Sequence, residues 1–344
     1  MKKVFLILIC CTVLLYGCGD SKKNAYYDDA LKSMEAGDYE EAVSLLQDSI
    51  EAKTRLPESY RAQGISYMKL GDYASAVASF SRSINSMEGS NQKFKKDVMY
   101  YLAEAREAYG QIDEAIEVYT DILKMDNDVQ SFFLRGKLYL EKEDYDSATE
   151  DFSKSLEKSR DYDLYINIFN EYEEHNMTIE GSEYLEQALE MEPQQAGDYY
   201  QRGRIYYHMK DYNSAQEELT KAIKEGDRDA VLLLGKVYIA LEDSGSARAM
   251  YQEYLSDQEE QAKAYNGLAL CDIYDKNYDS ALANIEKGLE CQDEEEKQSL
   301  LFNEIIAYEY KLDFETAKQK MSAYLELYPE DEAASRENEF LQSR

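Results

Sequence analysis

The chain has 344 residues, with 38 Lys and Arg against 70 Asp and Glu, and a formal net charge of −32. Such acidity repels nucleic-acid phosphates and anionic bilayers, which excludes binding to either through charge. Three prolines, 16 glycines, no tryptophan and many Ala, Leu, Glu and Lys residues favour helix throughout, while 32 tyrosines call for a separate explanation.

The first element is MKKVFLILICCTVLLYGCGD. Lys2 and Lys3 precede an apolar run from Val4 to Tyr16. As a helix that run reaches only about 20 Å, short of the roughly 30 Å hydrocarbon core, so it reads as an export signal rather than a transmembrane span. Its end, Leu15-Tyr16-Gly17-Cys18, resembles the bacterial lipobox, with Tyr16 departing from the usual small residue. The resemblance implies that residues 1–17 are a lipoprotein signal peptide and that Cys18 carries diacylglycerol and acyl (palmitate-type) chains. Two or three chains hold a protein on a membrane, where one binds reversibly. The protein is then expected on the extracytoplasmic face of the cell membrane or outer membrane. An ordinary secretory peptide carrying a cysteine is the alternative. Residues 18–24 form a short lipidated tether, and helical patterning begins near Ala25.

The next elements repeat. In YRAQGISYMKLGDYASAVASF, Tyr60, Gly64 and Tyr67 are spaced to share one helix face. The glycine admits a closely packed second helix, which returns after LGDY with Ala76 and Phe80 on its inner face. The same skeleton recurs as Phe132, Gly136, Tyr139, Tyr145, Ala148, Phe152 and as Tyr199, Gly203, Tyr206, Tyr212, Ala215, Leu219. Weaker copies place the Ala76 position at Ala42, Ala115, Gly181, Ala247, Ala281 and Ala317, at intervals of 32 to 39 residues. The glycine position is small again at Ala30, Ala103 and Gly235, but large at Phe169 and Ile305 in the fifth and ninth units. One such pair cannot bury its own apolar face, so neighbours must stack on it.

This period and skeleton resemble the tetratricopeptide repeat, a helical hairpin of about 34 residues. The resemblance implies an all-α fold, a right-handed α-solenoid of about nine helix-turn-helix repeats over residues 25–329. Residues 330–344 then form a polar C-terminal capping helix or tail. Sixteen of the 32 tyrosines occupy three repeating positions, which makes packing with a satisfied hydroxyl their default role.

Other chemistry finds little support. Cys271 and Cys291 sit about 15 Å apart along one hairpin, beyond the roughly 7 Å a disulfide allows, and read as free, small buried hydrophobes. His175 and His208 have no partner at metal-ligand spacing. Asp275, Asn277, Asp279 and Glu286 match positions of a calcium loop, but Ser280 replaces its required glycine and the repeat already accounts for the segment. No cofactor is expected, and no stretch outside the repeats is long enough for a catalytic domain.

What the resemblance implies for function is binding. The first helices of such arrays line a concave groove. The lining is expected to include Arg61, Ile65, Tyr100, Phe133, Lys137, Tyr200, Arg204, Tyr207 and Lys236, with Met68, Leu140, Ile166, Leu270 and Phe302 beside them. Apolar and aromatic side chains with four cations point to a protein or peptide partner carrying acidic and apolar groups. The leading reading is a lipid-anchored, non-enzymatic interaction scaffold of envelope assembly that binds no nucleic acid. A nutrient-capture surface lipoprotein, taking glycans or peptides, is the alternative.

Overall fold

The structure, a computed structural model, describes residues 25–87, 89, 91–256 and 262–344. Residues 1–24, with the expected signal peptide, Cys18 and tether, lie outside the described residues. Among the described residues the secondary structure is helical throughout. The helices fall into hairpins: α1 Ala25–Glu35 with α2 Tyr39–Glu51, α3 Leu56–Lys69 with α4 Tyr73–Asn85, and α5 Gln92–Ala108 with α6 Ile112–Met125. Next come α7 Val129–Glu141 with α8 Tyr145–Lys158, then α9 Tyr162–Glu174 with α10 Thr178–Leu189. The series continues with α11 Ala196–His208 and α12 Tyr212–Lys224, then α13 Asp229–Ala240 and α14 Ser244–Leu255. It ends with α15 Ala262–Tyr274 and α16 Tyr278–Glu290, α17 Glu294–Tyr310 and α18 Phe314–Leu327, and a last helix, α19 Glu332–Gln342. No helix of the described residues is long and apolar enough to cross a membrane.

Each hairpin turn is built the same way. A residue in the left-handed region ends the first helix, and in most hairpins the next residue caps the second. Gly37, Gly71 and Gly110 take positive φ without strain, but Glu143, Asn176, Lys210, Glu242, Lys276 and Leu312 do the same work with side chains. The capping residue is usually aspartate. Asp72 accepts from the Ser75 amide at 3.0 Å, Asp243 from Ser246 at 2.9 Å and Asp313 from Thr316 at 3.2 Å. Each bond satisfies one of the four amides that a helix start leaves unpaired.

The chain divides into two compact units, residues 25–164 with Asn170–Thr178, and Tyr165–Phe169 with Ile179–Arg344. In the N-terminal unit α1 to α8 pack as successive hairpins, each resting on the next. A Cβ on Gly64 would stand 2.5 Å from the Phe80 ring, and one on Gly136 would stand 2.8 Å from Phe152. Glycine is therefore required by the aromatic ring opposite it. Ala103 and Tyr119, both buried, use the next smallest residue for the same purpose. Arg135 grips the buried Asp151 with two bonds, 2.6 and 2.7 Å, locking α7 to α8.

The C-terminal unit packs α11 to α18 in the same manner, with α19 laid on α18 through Ala334 and Leu341. Gly203 lies under Leu219, and Tyr251 fills the space that Gly235 and Gly267 leave. The Tyr251 hydroxyl is buried without a hydrogen-bond partner, an exception to the satisfied tyrosines expected from sequence. In the ninth hairpin Ile305 takes the glycine position, and the flexible Met321 lies at the position of Phe80; both are fully buried. Phe169 and Leu185, at the same two positions of the fifth hairpin, are likewise buried. Cys271 is buried inside α15, but Cys291 is exposed at the end of α16, where its thiol donates to the Lys287 carbonyl at 3.3 Å. The expectation that both cysteines are buried is corrected for Cys291, which caps α16 between the exposed Glu290 and Gln292.

Candidate binding faces on the first helices

Within each unit the first helices lie side by side, α1 beside α3 and α3 beside α5, then α11 beside α13, α13 beside α15 and α15 beside α17. Three positions per helix, spaced i, i+4, i+7, fall on one stripe. On α3 the stripe is Arg61, Ile65 and Met68, all half-buried. At the equivalent positions α5 has Tyr100, Glu104 and Glu107, and α7 has Phe133, Lys137 and Leu140.

In the N-terminal unit most of these side chains hold one another. The Arg61 Nε donates to Asp97 at 2.5 Å, and its guanidinium lies 4.9 Å from the centre of the Tyr101 ring. The Tyr100 hydroxyl donates to Asp128 at 2.7 Å and lies 2.7 Å from the Ser131 hydroxyl, while Lys96 sits 2.9 Å from Asp128. Tyr100 is thereby tied to the start of α7. The Phe133 ring rests 5.9 Å from Phe152, and Ile65 packs on the core. Leu140, expected to line the groove, is fully buried, as is Ile166. They are core residues, and the accessible stripe is narrower than the sequence suggested.

Lys137 is the centre of a carboxylate group. Its Nζ is 3.3 Å from Glu107. Burial opposes its charge, but Glu107, Glu171 and Glu174 outweigh burial and hold the ammonium above its ordinary pKa. Burial pushes the Glu171 carboxyl up to about 7, with Lys137 opposing and Glu174 adding to the rise. Glu171 Oε2 is buried without a hydrogen-bond partner. Glu104 on the stripe is also raised, first by desolvation against the neighbouring helices and then by Glu107, with Lys69 and Lys137 opposing. Glu104, Glu107 and Glu171 were not among the expected site residues. The signal was present, since Glu104 and Glu107 are separated from Ile65 and Met68 by the same interval that separates Ala115 from Ala76.

The C-terminal unit presents a different stripe. Tyr200, Arg204 and Tyr207 follow one another on α11, all half-buried. The Arg204 guanidinium lies 5.9 Å from the centre of the Tyr200 ring and donates to Gln201 at 2.5 Å. Tyr207 tilts against Tyr212 at 5.8 Å, and burial raises its hydroxyl. Lys236 is exposed on α13 between the half-buried Leu232 and Ile239. Leu270 and Ile273 continue on α15, and Phe302 and Ile306 on α17, with Phe302 resting 5.7 Å from Tyr324. Glu309 ends the stripe on α17, apposed to Glu337 of α19. Burial and that second carboxylate push it up to about 7, with Arg344 opposing.

The remaining candidates serve the scaffold. His175 Nδ1 lies 2.8 Å from the Glu171 carbonyl at the end of α9, and His208 meets Phe169 edge-on at 5.4 Å. In the calcium-loop segment, Asp275 accepts from Ser244 at 2.7 Å and Arg248 at 2.9 Å, Asp279 pairs with Lys311, and Asn277 begins α16. These ligands are thus held by cations and turns. Among the described residues no group of three or more His, Cys, Asp or Glu is placed to hold a metal ion.

The tetratricopeptide repeat profile matches residues 27–92, 61–128, 100–163 and 232–292, and a second tetratricopeptide profile matches residues 199–225. A TPR repeat-containing protein of Methanocaldococcus jannaschii is 23% identical over 206 residues, 54% of this chain, and the match spans 36% of that relative's length. Among solved structures, a tetratricopeptide repeat protein from Parabacteroides merdae is 14% identical, covering 72% of this chain and 99% of that one at a TM-score of 0.46. MamA (41-end) from Desulfovibrio magneticus is 18% identical, covering 50% and 95% at a TM-score of 0.41. The chain belongs to the tetratricopeptide repeat family.

Proposed function

We propose that this protein is a non-catalytic scaffold that binds partner proteins or peptides along its first-helix faces. The observation that carries the reading is the stripe itself. Apart from the buried Leu140, Ile166 and Asn266, these positions stay half-buried or exposed on successive first helices, while the second helices turn Ala76, Phe80 and their equivalents fully inward. Side chains such as Tyr200, Tyr207 and Phe302 offer rigid aromatic area to a ligand, and Arg204 and Lys236 offer charge. A lipid on Cys18 would hold the scaffold at the extracytoplasmic face of the cell membrane or outer membrane. Support for that anchor is the sequence Leu15-Tyr16-Gly17-Cys18 after its apolar run. On this reading the scaffold serves envelope assembly, gathering its partners at that membrane.

The test is crosslinking in cells, then purification from membranes, comparing the native protein with a Tyr200→Ala, Arg204→Glu, Tyr207→Ala variant of equal helicity. A partner recovered with the native protein and lost with the variant is expected. The same partner recovered with both removes the α11 stripe from the binding surface. Fractionation of a Cys18→Ser variant into the soluble pool, against membrane retention of the native protein, tests the anchor.

A further inference from the structure

The sequence alone pointed to an acidic partner, and the N-terminal unit argues for the opposite charge there. This inference rests on the reading of the first-helix faces as partner sites. Two cations on that face are already engaged, Arg61 by Asp97 at 2.5 Å and Lys137 by Glu107 at 3.3 Å, which leaves the exposed Lys69 at the end of α3 acting on Glu104. Glu171 and Glu174 also act on Lys137, and Glu104 carries its charge on the accessible stripe beside them. Carboxylates therefore outnumber the cations that could neutralise them. The deficit is visible at one atom, since Glu171 Oε2 is buried and receives no hydrogen bond. A buried acceptor left in that state is costly, and an incoming ammonium or guanidinium supplies the missing donor. The stripe is also apolar beside these acids, with Ile65 half-buried on the neighbouring helix. We propose that the face of the N-terminal unit receives a partner-protein segment in which lysine or arginine is interspersed with apolar side chains, the cations entering among Glu104, Glu171 and Glu174.

A fluorescent dodecapeptide of Lys, Ala and Leu is the probe, compared with the same peptide carrying Glu for every Lys. Binding is measured by anisotropy on the full chain at about 0.15 M salt, where long-range attraction to an acidic protein is largely screened. One variant is Glu104→Gln, Glu171→Gln, Glu174→Gln. The control, Glu40→Gln, Glu117→Gln, Glu157→Gln, replaces the same number of carboxyl groups at exposed second-helix positions. The lysine peptide is expected to lose affinity about tenfold or more on the first variant and less than about twofold on the control. Equal losses on both variants reduce the effect to diffuse attraction and overturn the proposal. Preferential binding of the glutamate peptide, abolished by Lys137→Gln, keeps the face as a partner site and overturns its basic preference. Binding of neither peptide overturns both.

Discussion

The two units use one register to opposite ends. In the N-terminal unit the stripe positions hold Arg61, Tyr100, Glu104, Glu107 and Lys137, and the two cations are spent on carboxylates of neighbouring helices. In the C-terminal unit the same positions hold Tyr200, Tyr207, Leu232, Ile239, Leu270 and Phe302, broken by Arg204 and Lys236. The packing positions beneath are nearly interchangeable between the units. The comparison shows that the repeat constrains the inner face of each hairpin and leaves its outer stripe free to change sign and polarity.

The largest expected effects probe whether the shared packing is as local as a repeat array requires. Phe152→Ala should cost about 3–5 kcal/mol. Because each hairpin contacts only its neighbours, the loss should appear in hydrogen exchange as reduced protection of α7 and α8 and the hairpins beside them, with α15 to α18 unchanged. Equal loss of protection in both units would mean that the array unfolds as one body. Asp151→Ala leaves Arg135 half-buried without its carboxylate, and a destabilisation of about 3 kcal/mol is expected in the same region.

A smaller effect separates the units by pH. Glu171 and Glu309 each have a carboxyl raised to about 7, chiefly by burial. Each binds its proton more tightly folded than unfolded. Their protonated forms therefore contribute stability that is fully present below the ordinary glutamate range, near pH 4, and lost as pH rises through 7. Denaturant titrations should show Glu171→Gln and Glu309→Gln each more stable than the native chain at pH 8, by about 1–2 kcal/mol, with the advantage gone by pH 4. Exchange should place the first gain in the N-terminal unit and the second around α17 and α19. An unchanged pH slope in either variant would remove that carboxyl as its source.

The smallest effect lies in the turns. The first three hairpins place glycine at the left-handed position, whereas Lys210, Glu242, Lys276 and Leu312 hold it in the C-terminal unit. Leu312 is 72% exposed at φ 64°, so its side chain contributes little cover while carrying the strain. Leu312→Gly is expected to raise stability by about 0.5 kcal/mol, the relief of strain partly offset by a more flexible unfolded chain. Gly71→Ala should lower it by about 1 kcal/mol.

The fold was legible in the sequence because its determinants are short-range. Gly64 and Phe80, or Gly136 and Phe152, sit within one hairpin at a fixed spacing that recurs down the chain. The faces were only half legible. Aromatic and cationic side chains drew notice individually, but the partners that decide their state come from other repeats. Asp97 takes Arg61, and Glu107 and Glu171 surround Lys137. Burial of Leu140 and Ile166 likewise depends on small rotations of each helix that a repeat period does not specify. The exposure of Cys291 was missed because the end of a helix escapes its neighbours even when its middle does not.

The most direct measurement is a photo-crosslinking side chain placed in turn at Ile65 and Lys236 on the first-helix stripes, and at Glu117 and Glu217 on exposed second-helix positions, in cells. Partner protein crosslinked from Ile65 or Lys236, and not from Glu117 or Glu217, is the expected result. Crosslinks confined to Glu117 and Glu217 would contradict it and move binding to the second helices.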